Sequence, residues 1–449
     1  MTSWIQETEL SYRLIAGEAV IVNRIDNTLH RLNEVGATVF EALGSPAGLD
    51  DVLQTVRSRF DFSDVPAEEV ESDVRAFVDD LLARRLIRDA GSAPAPRGLL
   101  RLDPWRDELE RIGVDLVAPV WSKIEVSTRC HLDCVHCYIP FEERHLPAPP
   151  ERRDLDNAEI CALIDELAGI GALLLTLTGG EIFIRSGIFD VLEHAQRRNF
   201  ILELFTTGMP LNADKVARLA AMNVGRVQIS LYSHEAATHD AVTQAPGSWQ
   251  RSVSAARQLA QAGVHIDFAC TLMQSNVGDT EGMKRLAESI GATVSYGYPI
   301  TARTDGNRDT HALRTTGPEL EQAIRALPEF FAMPKPKSAA ERICPAAVNM
   351  CAVSASGDVL PCSQFHLPLG NVRETPLAEI WERSPVARRV RAIRTGDLKP
   401  SAHGALDAYV GLCPGLNLLE EGDPLVPARV TAETTLAVSR VLGSSAAPR

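Results

Sequence analysis

The chain has 449 residues, room for several domains, and its 45% hydrophobic content is that of an ordinary globular protein. A net charge of −14 leaves no basic surface for phosphates, so the composition argues against a nucleic-acid partner and favours the plain reading of solubility. No apolar run is long enough to cross a membrane, and "MTSWIQETEL" lacks the basic-then-apolar pattern of a signal peptide, so the chain is expected in the cytoplasm, where thiols stay reduced.

Residues 10–90 read as a small α+β unit. "AVIVNRI" (19–25) and "TLHRLN" (28–33) are short alternating runs with "DN" between them, which predicts a hairpin. Three helical patterns follow: "EVGATVFEAL", "LDDVLQTVRSRF" and "AEEVESDVRAFVDDLLARRL". In the last, Val70, Val74, Phe77, Val78, Leu81 and Leu82 line one face. Residues 91–118 read as a linker that opens on a Pro-, Gly-, Ser- and Ala-rich stretch.

Residues 119–310 alternate strands and helices. The strand-like runs are "SKIEVS" (122–127), "LLLTLT" (173–178), "ILELFTT" (201–207), "RVQISLY" (226–232), "VHIDFACTL" (264–272) and "TVSYGYP" (293–299). Asp156 and Glu159 are spaced as a capping pair for the helix between the first two. This is an α/β pattern, a parallel sheet curled into a barrel or part of one, with its chemistry expected at the C-terminal strand ends. Residues 311–425 are turn-rich and hold four cysteines, and 426–449 read as a helix followed by a disordered end.

Three of the nine cysteines, Cys130, Cys134 and Cys137, fall on one loop after the first of these strands, spaced C-x3-C-x2-C. Clustered cysteines in a reducing compartment read as metal ligands or redox groups. A zinc knuckle would need His131 or His136 as its fourth ligand. A [4Fe–4S] cluster held by three thiolates instead keeps one iron open to a further ligand. "CHLDCVHCY" resembles the signature of the radical SAM superfamily. The resemblance implies a partial (β/α)6 barrel and a [4Fe–4S] cluster that binds S-adenosylmethionine (SAM) and releases a 5′-deoxyadenosyl radical. It also implies SAM contacts. Gly179, Gly180 and Glu181 of "LTGGEIFIR" would hold the ammonium, and Ser230 ends the fourth strand at the family's serine. Tyr138 matches the aromatic after the last cysteine, and His136 the residue whose backbone sits by the adenine. Ile182 stands where proline is usual, and "TTG" (206–208) replaces Thr-Asn-Gly. Thr243 stands where many relatives carry an arginine for the SAM carboxylate, which leaves that carboxylate without a named partner.

Cys344, Cys351, Cys362 and Cys413 lie in a region that resembles the SPASM extension of radical SAM enzymes, through its "GDVLPC" turn and "LGNV…LAEIW" segment. The resemblance implies one auxiliary [4Fe–4S] cluster ligated by all four thiolates and so closed to substrate; a zinc site with the same ligands is the alternative. The stretch that matches the ligands of a second auxiliary cluster, "LKPSAHGALDAY", has no cysteine. Cys161 and Cys270 occupy apolar-patterned positions and read as buried, outside the chemistry.

"LHRLNEVGATVFEAL" and "VESDVRAFVDDLLARRLI" resemble the winged-helix-like peptide-recognition (PqqD-like) element of pyrroloquinoline-quinone biosynthesis. The resemblance implies that residues 12–88 take a leader peptide as an added strand. Arg84 and Arg85, at the end of the last helical pattern, are placed to meet acidic leader side chains. The alternative is an ornament with no ligand. The whole then reads as a maturase of a ribosomally synthesised peptide that forms a carbon–carbon, ether or thioether crosslink, with flavodoxin or ferredoxin as electron donor. Ser363, where sulfatase-maturing relatives place an Asp, argues against that activity. A porphyrin-modifying enzyme and a non-catalytic iron–sulfur scaffold are the rivals.

Overall fold

A computed structural model of the chain describes residues 3–442 apart from 97, 99, 103, 223, 332–336 and 401–412. The amino-terminal unit contains β1 (Trp4–Gln6), β2 (Leu10–Ile15), β3 (Glu18–Asn23), β4 (Thr28–Leu32) and β5 (Ile87–Asp89). β2, β3 and β4 form an antiparallel sheet in that order, and β1 pairs with β5. The expected hairpin is β3–β4, and the three expected helices are Glu34–Ala42, Leu49–Arg59 and Ala67–Ala83. β2 is an addition to the sequence reading.

Its polar residues explain why it escaped. Ser11 and Arg13 are buried, and so is Arg24 of the turn after β3. Arg24 donates to Ser11 Oγ and to the Phe200 carbonyl, and Arg13 donates to the Ala172 carbonyl at 2.6 Å. The apolar run of β3 is covered on both sides. Ala19 and Ile21 pack with Phe40, Val70, Val74 and Val78 of the helices. Val20 and Val22 pack with Trp105, Leu173, Leu174 and Ile201. The small unit is therefore seated on the larger one by a shared core.

The stretch read as a linker helps to build that seat. It contains the helix Arg106–Leu116, with Leu109 and Ile112 buried beside Leu100, Leu102 and Trp105.

The central sheet begins with β6 (Trp121–Ser127), β7 (Leu174–Gly179), β8 (Ile201–Thr206), β9 (Arg226–Ser230), β10 (Ile266–Thr271) and β11 (Thr293–Gly297). All six expected strands are present, parallel and in sequence order. The capping pair is formed as well: Glu159 N–H donates to Asp156 and Asp156 N–H to Glu159. At the N-terminal end of the strands the buried Glu203 carboxylate pairs with Arg226 and Arg106 and accepts from Thr176 Oγ1.

Three further strands extend the sheet beyond β6: β12 (Met350–Val353), β13 (Asp358–Leu360) and β14 (Gly370–Asn371). β12 runs parallel to β6 with Cys351 opposite Ser122, and the nine strands make one open sheet. The fold is a partial radical SAM-type (β/α)6 barrel flanked by a small α+β unit and a carboxy-terminal extension. The tail forms the helix Arg429–Leu442 against the helix Gly317–Ala326; the end from 443 lies outside the described residues. None of the described helices is long and apolar enough to cross a membrane.

Candidate functional site

The loop after β6 carries Cys130, Cys134 and Cys137, each half-buried and free. The chain grips this loop through its carbonyls. Arg144, itself buried, donates to the carbonyls of Leu132 at 2.7 Å and Ile139 at 3.2 Å. Arg303 donates to the carbonyl of Cys137 at 2.6 Å and is paired with Asp309. The N–H groups of Asp133 and Val135 donate to the carbonyls of Thr243 and Val242. Burial pushes the Cys130 thiol up to about 11 and the Cys134 thiol up to about 12, and the nearby Arg144 pulls both back. Thiols this deep ionise only beside positive charge, so the donor set suits a thiolate-bound iron–sulfur group flanked by two guanidiniums. Among the described residues no group of three or more His, Cys, Asp or Glu side chains is drawn together around a single point.

The glycine pair at the end of β7 has a steric cause. A Cβ on Gly179 (φ +125°) would stand 2.2 Å from the Ser127 carbonyl oxygen, and one on Gly180 would stand 2.0 Å from that of Arg129. Only glycine lets β7 close onto the backbone leading into Cys130. Gly180 and Glu181 N–H groups then donate to the Ser127 and Arg129 carbonyls at 2.8 Å each. The Glu181 carboxylate is buried and accepts from Phe183 N–H, Thr206 Oγ1, and both the N–H and Oγ1 of Thr207. Its acceptor positions are taken up by these donors from within the chain.

Ser230 ends β9, half-buried, within hydrogen-bonding reach of the Tyr232 hydroxyl, which also meets Cys134. The Tyr232 ring packs edge-on against His136, their centroids 4.6 Å apart. Burial, and then Arg303, lower the His136 pKa to about 4, and its Nδ1 is buried without a hydrogen-bond partner. Tyr138 donates its hydroxyl to Glu125 of β6 at 2.7 Å. Thr243 is buried, with its hydroxyl against Ser248 Oγ, so it offers nothing to a ligand.

The turn after Cys344 is tied to the residue before Cys362 by a bond from Ala347 N–H to the Pro361 carbonyl. The turn after Cys413 lies against the one after Cys362: a Cβ on Gly415 would stand 2.5 Å from the Gln364 carbonyl oxygen. The Cys362 thiol is pushed up to about 12 by burial and, more weakly, by Cys413 and Cys344. Cys351 belongs to the core cluster against which Cys344 and Cys362 pack. It is buried on β12 with Sγ 3.4 Å from Ser122 Oγ. Residues 401–412, which include most of the stretch matching a second auxiliary cluster, lie outside the described residues. Cys270 is buried and Cys161 half-buried.

A cavity of about 630 Å³ joins the two cysteine regions. His136 and Tyr138 line it on one side, Gln364 and Cys413 on another, with Tyr298 and Phe331 between. Next to it Lys123 of β6 reaches Ser363 Oγ at 3.2 Å and lies over the Phe205 ring. Arg144, Arg303, Tyr232 and Lys123 escaped the sequence reading. Only Lys123 left a signal, as a charged residue inside an otherwise β-like run.

Three family profiles match the chain in order. Coenzyme PQQ synthesis protein D (PqqD) matches residues 18–87, the radical SAM superfamily 124–290, and the SPASM iron–sulfur cluster-binding domain 344–404. Among similar proteins, the AdoMet-dependent heme synthase of Nitratidesulfovibrio vulgaris is 27% identical over 301 residues, 60% of this chain and 80% of that protein. The PqqA peptide cyclase of Gluconobacter oxydans is 27% identical over 288 residues, 61% of this chain and 79% of that protein. The crystal structure of Streptococcus suis SuiB bound to precursor peptide SuiA superposes with a TM-score of 0.63 at 15% identity, covering 96% of this chain and 100% of that one. Barrel, amino-terminal unit and cysteine-rich extension stand where these profiles match, so iron–sulfur clusters and SAM are the cofactors of the chain, and it belongs to the radical SAM enzymes, with a PqqD domain ahead of its barrel and a SPASM domain behind it.

Proposed function

We propose that the chain matures a ribosomally synthesised precursor peptide in the cytoplasm. Its leader is held by residues 12–88 while the segment to be modified enters the cavity. One observation carries this reading. β4 is an outer strand whose ladder partner among the described residues is β3 alone. The helix Ala67–Ala83 runs beside it, with His30 of β4 in electrostatic reach of Asp80 and of Arg84 just past the helix end. An open edge next to a helix is a template on which a linear peptide can add as a strand. The PqqD match and the likeness to SuiB, solved with a precursor peptide, support it.

In this reading Cys130, Cys134 and Cys137 hold the cluster that binds SAM, and His136, Tyr138, Gly179, Gly180, Glu181 and Ser230 surround the SAM place. A second, auxiliary cluster sits at the carboxy-terminal cysteines. When bound, the first cluster and SAM would together supply a 5′-deoxyadenosyl radical able to take hydrogen from an unactivated carbon. The chain does the rest: Arg144 and Arg303 fix the loop and offset its thiolates, and the Tyr- and Phe-rich cavity wall keeps water from the reacting carbon. The product is an oxidative crosslink, carbon–carbon, ether or thioether, and a flavodoxin or ferredoxin delivers the electrons.

The test is anaerobic incubation of reduced enzyme and SAM with the peptide encoded beside its gene. The expected product has lost two hydrogens. SAM cleavage with an unchanged peptide mass would overturn the reading. A second reading, a tetrapyrrole substrate, is favoured by the heme synthase relatives. It predicts a change in visible absorbance when a porphyrin is added, which the peptide reading does not.

A further inference from the structure

Lys123 is a cation inside the barrel mouth that the proposed chemistry leaves without a task. It sits on β6 with a strand on either side, opposite Thr176 of β7 and Ala352 of β12. Its Nζ lies 5.1 Å from the centroid of the Phe205 ring and donates to Ser363 Oγ at 3.2 Å. An ammonium carries three donor hydrogens, and this hydroxyl takes one. The two carboxylates that act on it most strongly through space are committed elsewhere: Glu203 holds Arg226 and Arg106, and Glu125 takes the Tyr138 hydroxyl. A half-buried ammonium resting on a neutral hydroxyl is costly to maintain, and such groups gather at sites that meet a ligand.

Lys123 lines a side pocket of about 170 Å³. The wall is rich in groups able to donate hydrogen bonds: the hydroxyls of Ser363, Thr178 and Thr301, the Gln364 amide and His366. Tyr138, Thr301 and Gln364 line both this pocket and the large cavity, so the two adjoin. His366 is shared instead with a second cavity, of about 510 Å³, whose wall carries Glu125, Glu143, Asp154 and Asp358 beside Arg152. The field thus changes sign across His366, positive at Lys123 and negative beyond it. An anion is drawn into the side pocket and turned away from the acidic cavity. The space admits a carboxymethyl or carboxyethyl arm whose parent chain lies in the large cavity.

We propose that Lys123 is a specificity residue that receives the carboxylate of an Asp or Glu side chain in the segment of the peptide to be modified. The proposal rests on the peptide reading above and deepens it, by naming a residue class that the bound segment must contain. A carboxylate at a half-buried ammonium forms a charge-assisted pair stronger than one at the surface, and the hydroxyls on the wall can donate to its second oxygen. The pair also fixes register. A segment shifted by one residue would set a neutral side chain against the ammonium and leave both charges unmatched. Tyr138 follows Cys137 directly and belongs to the same wall, so a carboxylate seated at Lys123 holds its neighbours in the peptide close to the SAM place.

The test begins with binding, on full-length, anaerobically reconstituted protein loaded with SAM. N-acetyl-L-glutamate amide carries one side-chain carboxylate, and N-acetyl-L-glutamine amide is its neutral counterpart. Calorimetry should show the parent binding the first about tenfold more tightly than the second. Lys123→Arg, which keeps the charge, should retain a preference, and Lys123→Met should bind the two alike. Equal binding by the parent, a comparison that needs no variant, would overturn the proposal, as would an undiminished preference in Lys123→Met. With the peptide encoded beside the gene, changing one Asp or Glu to its amide should lower kcat/KM about a hundredfold. Lys123→Met should lower the unaltered peptide to the same level, with no further loss when the two changes are combined. Additive losses, or a modified segment without Asp or Glu, would overturn the proposal. A peptide left unmodified by the parent would remove the reading beneath it, while the binding comparison still decides whether the side pocket takes a carboxylate. A porphyrin whose absorbance shifts with the parent and not with Lys123→Met would place the carboxylate on a tetrapyrrole and overturn the peptide source.

Discussion

Thr207 gives both its backbone N–H and its hydroxyl to the same carboxylate oxygen of Glu181, each at 2.7 Å. With Thr206 Oγ1 and Phe183 N–H on the same group, the Gly-Gly-Glu end of β7 and the Thr-Thr-Gly end of β8 are bolted into one piece. A buried carboxylate with its acceptor sites filled is a structural tie.

Glu181→Ala should therefore reduce stability as well as SAM binding. It strands the two threonines and Phe183 N–H, at about 1–3 kcal/mol for each donor left unsatisfied. Thr207→Val, which removes one hydroxyl bond to a charged acceptor, should cost about 1.5–3 kcal/mol. Urea unfolding under anaerobic conditions measures both. If Glu181 served SAM alone, the unfolding midpoint of Glu181→Ala would match that of the parent while SAM affinity fell.

A pH dependence follows from His239. Its Nδ1 accepts the Tyr232 backbone N–H, which requires the neutral ring, and burial lowers its pKa from 6.5 to about 4. Between those values the unfolded chain takes up a proton that the folded chain refuses. Stability should thus fall as pH drops from 6.5 towards about 4 and be level above it, with a limiting slope of about 1.4 kcal/mol per pH unit. Unfolding curves at a series of pH values, repeated on His239→Gln, test this. The variant should show a shallower slope.

Replacing Cys130, Cys134 and Cys137 together by Ala should abolish 5′-deoxyadenosine formation and leave about four irons, those of the auxiliary cluster. Chromatography of reaction mixtures and iron analysis read the two effects separately. Undiminished SAM cleavage would mean that another site holds the reactive cluster.

Leader binding should be tested on the intact chain. Cutting away the PqqD domain would bare Leu173, Leu174, Ile201 and Trp105, which Ile15, Val20 and Val22 now cover, and such a patch invites aggregation. Arg84 is tied to Asp80 at 2.8 Å, and Arg85 sits at φ +54°, turning the chain out of the helix. His30→Glu with Arg84→Glu should weaken a micromolar leader about tenfold, about 1.4 kcal/mol, and leave peptide-independent SAM cleavage unchanged. Fluorescence titration with a labelled leader gives the affinity, and equal binding by parent and variant would move the leader away from β4.

The parts legible in the sequence were those whose signal is local. Six β-like runs separated by amphipathic segments define the barrel, and C-x3-C-x2-C marks its loop. What escaped depends on partners far along the chain. β2 was hidden because Ser11 and Arg13 are buried against the barrel, where a polar residue normally announces solvent. The helix Arg106–Leu116 was hidden because the Pro- and Ala-rich stretch before it reads as the start of a tether. Cysteine spacing carries no information about which face of a strand a thiol takes, and only the ladder sets Cys351 of β12 beside Ser122.

The ladder between β12 and β6 has a consequence for electron flow. Because the SPASM strand continues the barrel sheet, the Cys130 loop at the end of β6 and the Cys344–Cys362–Cys413 turns around the β12–β13 hairpin belong to a single rigid framework. A tunnelling distance written into peptide hydrogen bonds cannot be gated by a domain swinging open. On the function proposed above, with a cluster at each of these places, control over when charge passes between them falls to what fills the space between them, which makes the substrate itself the switch.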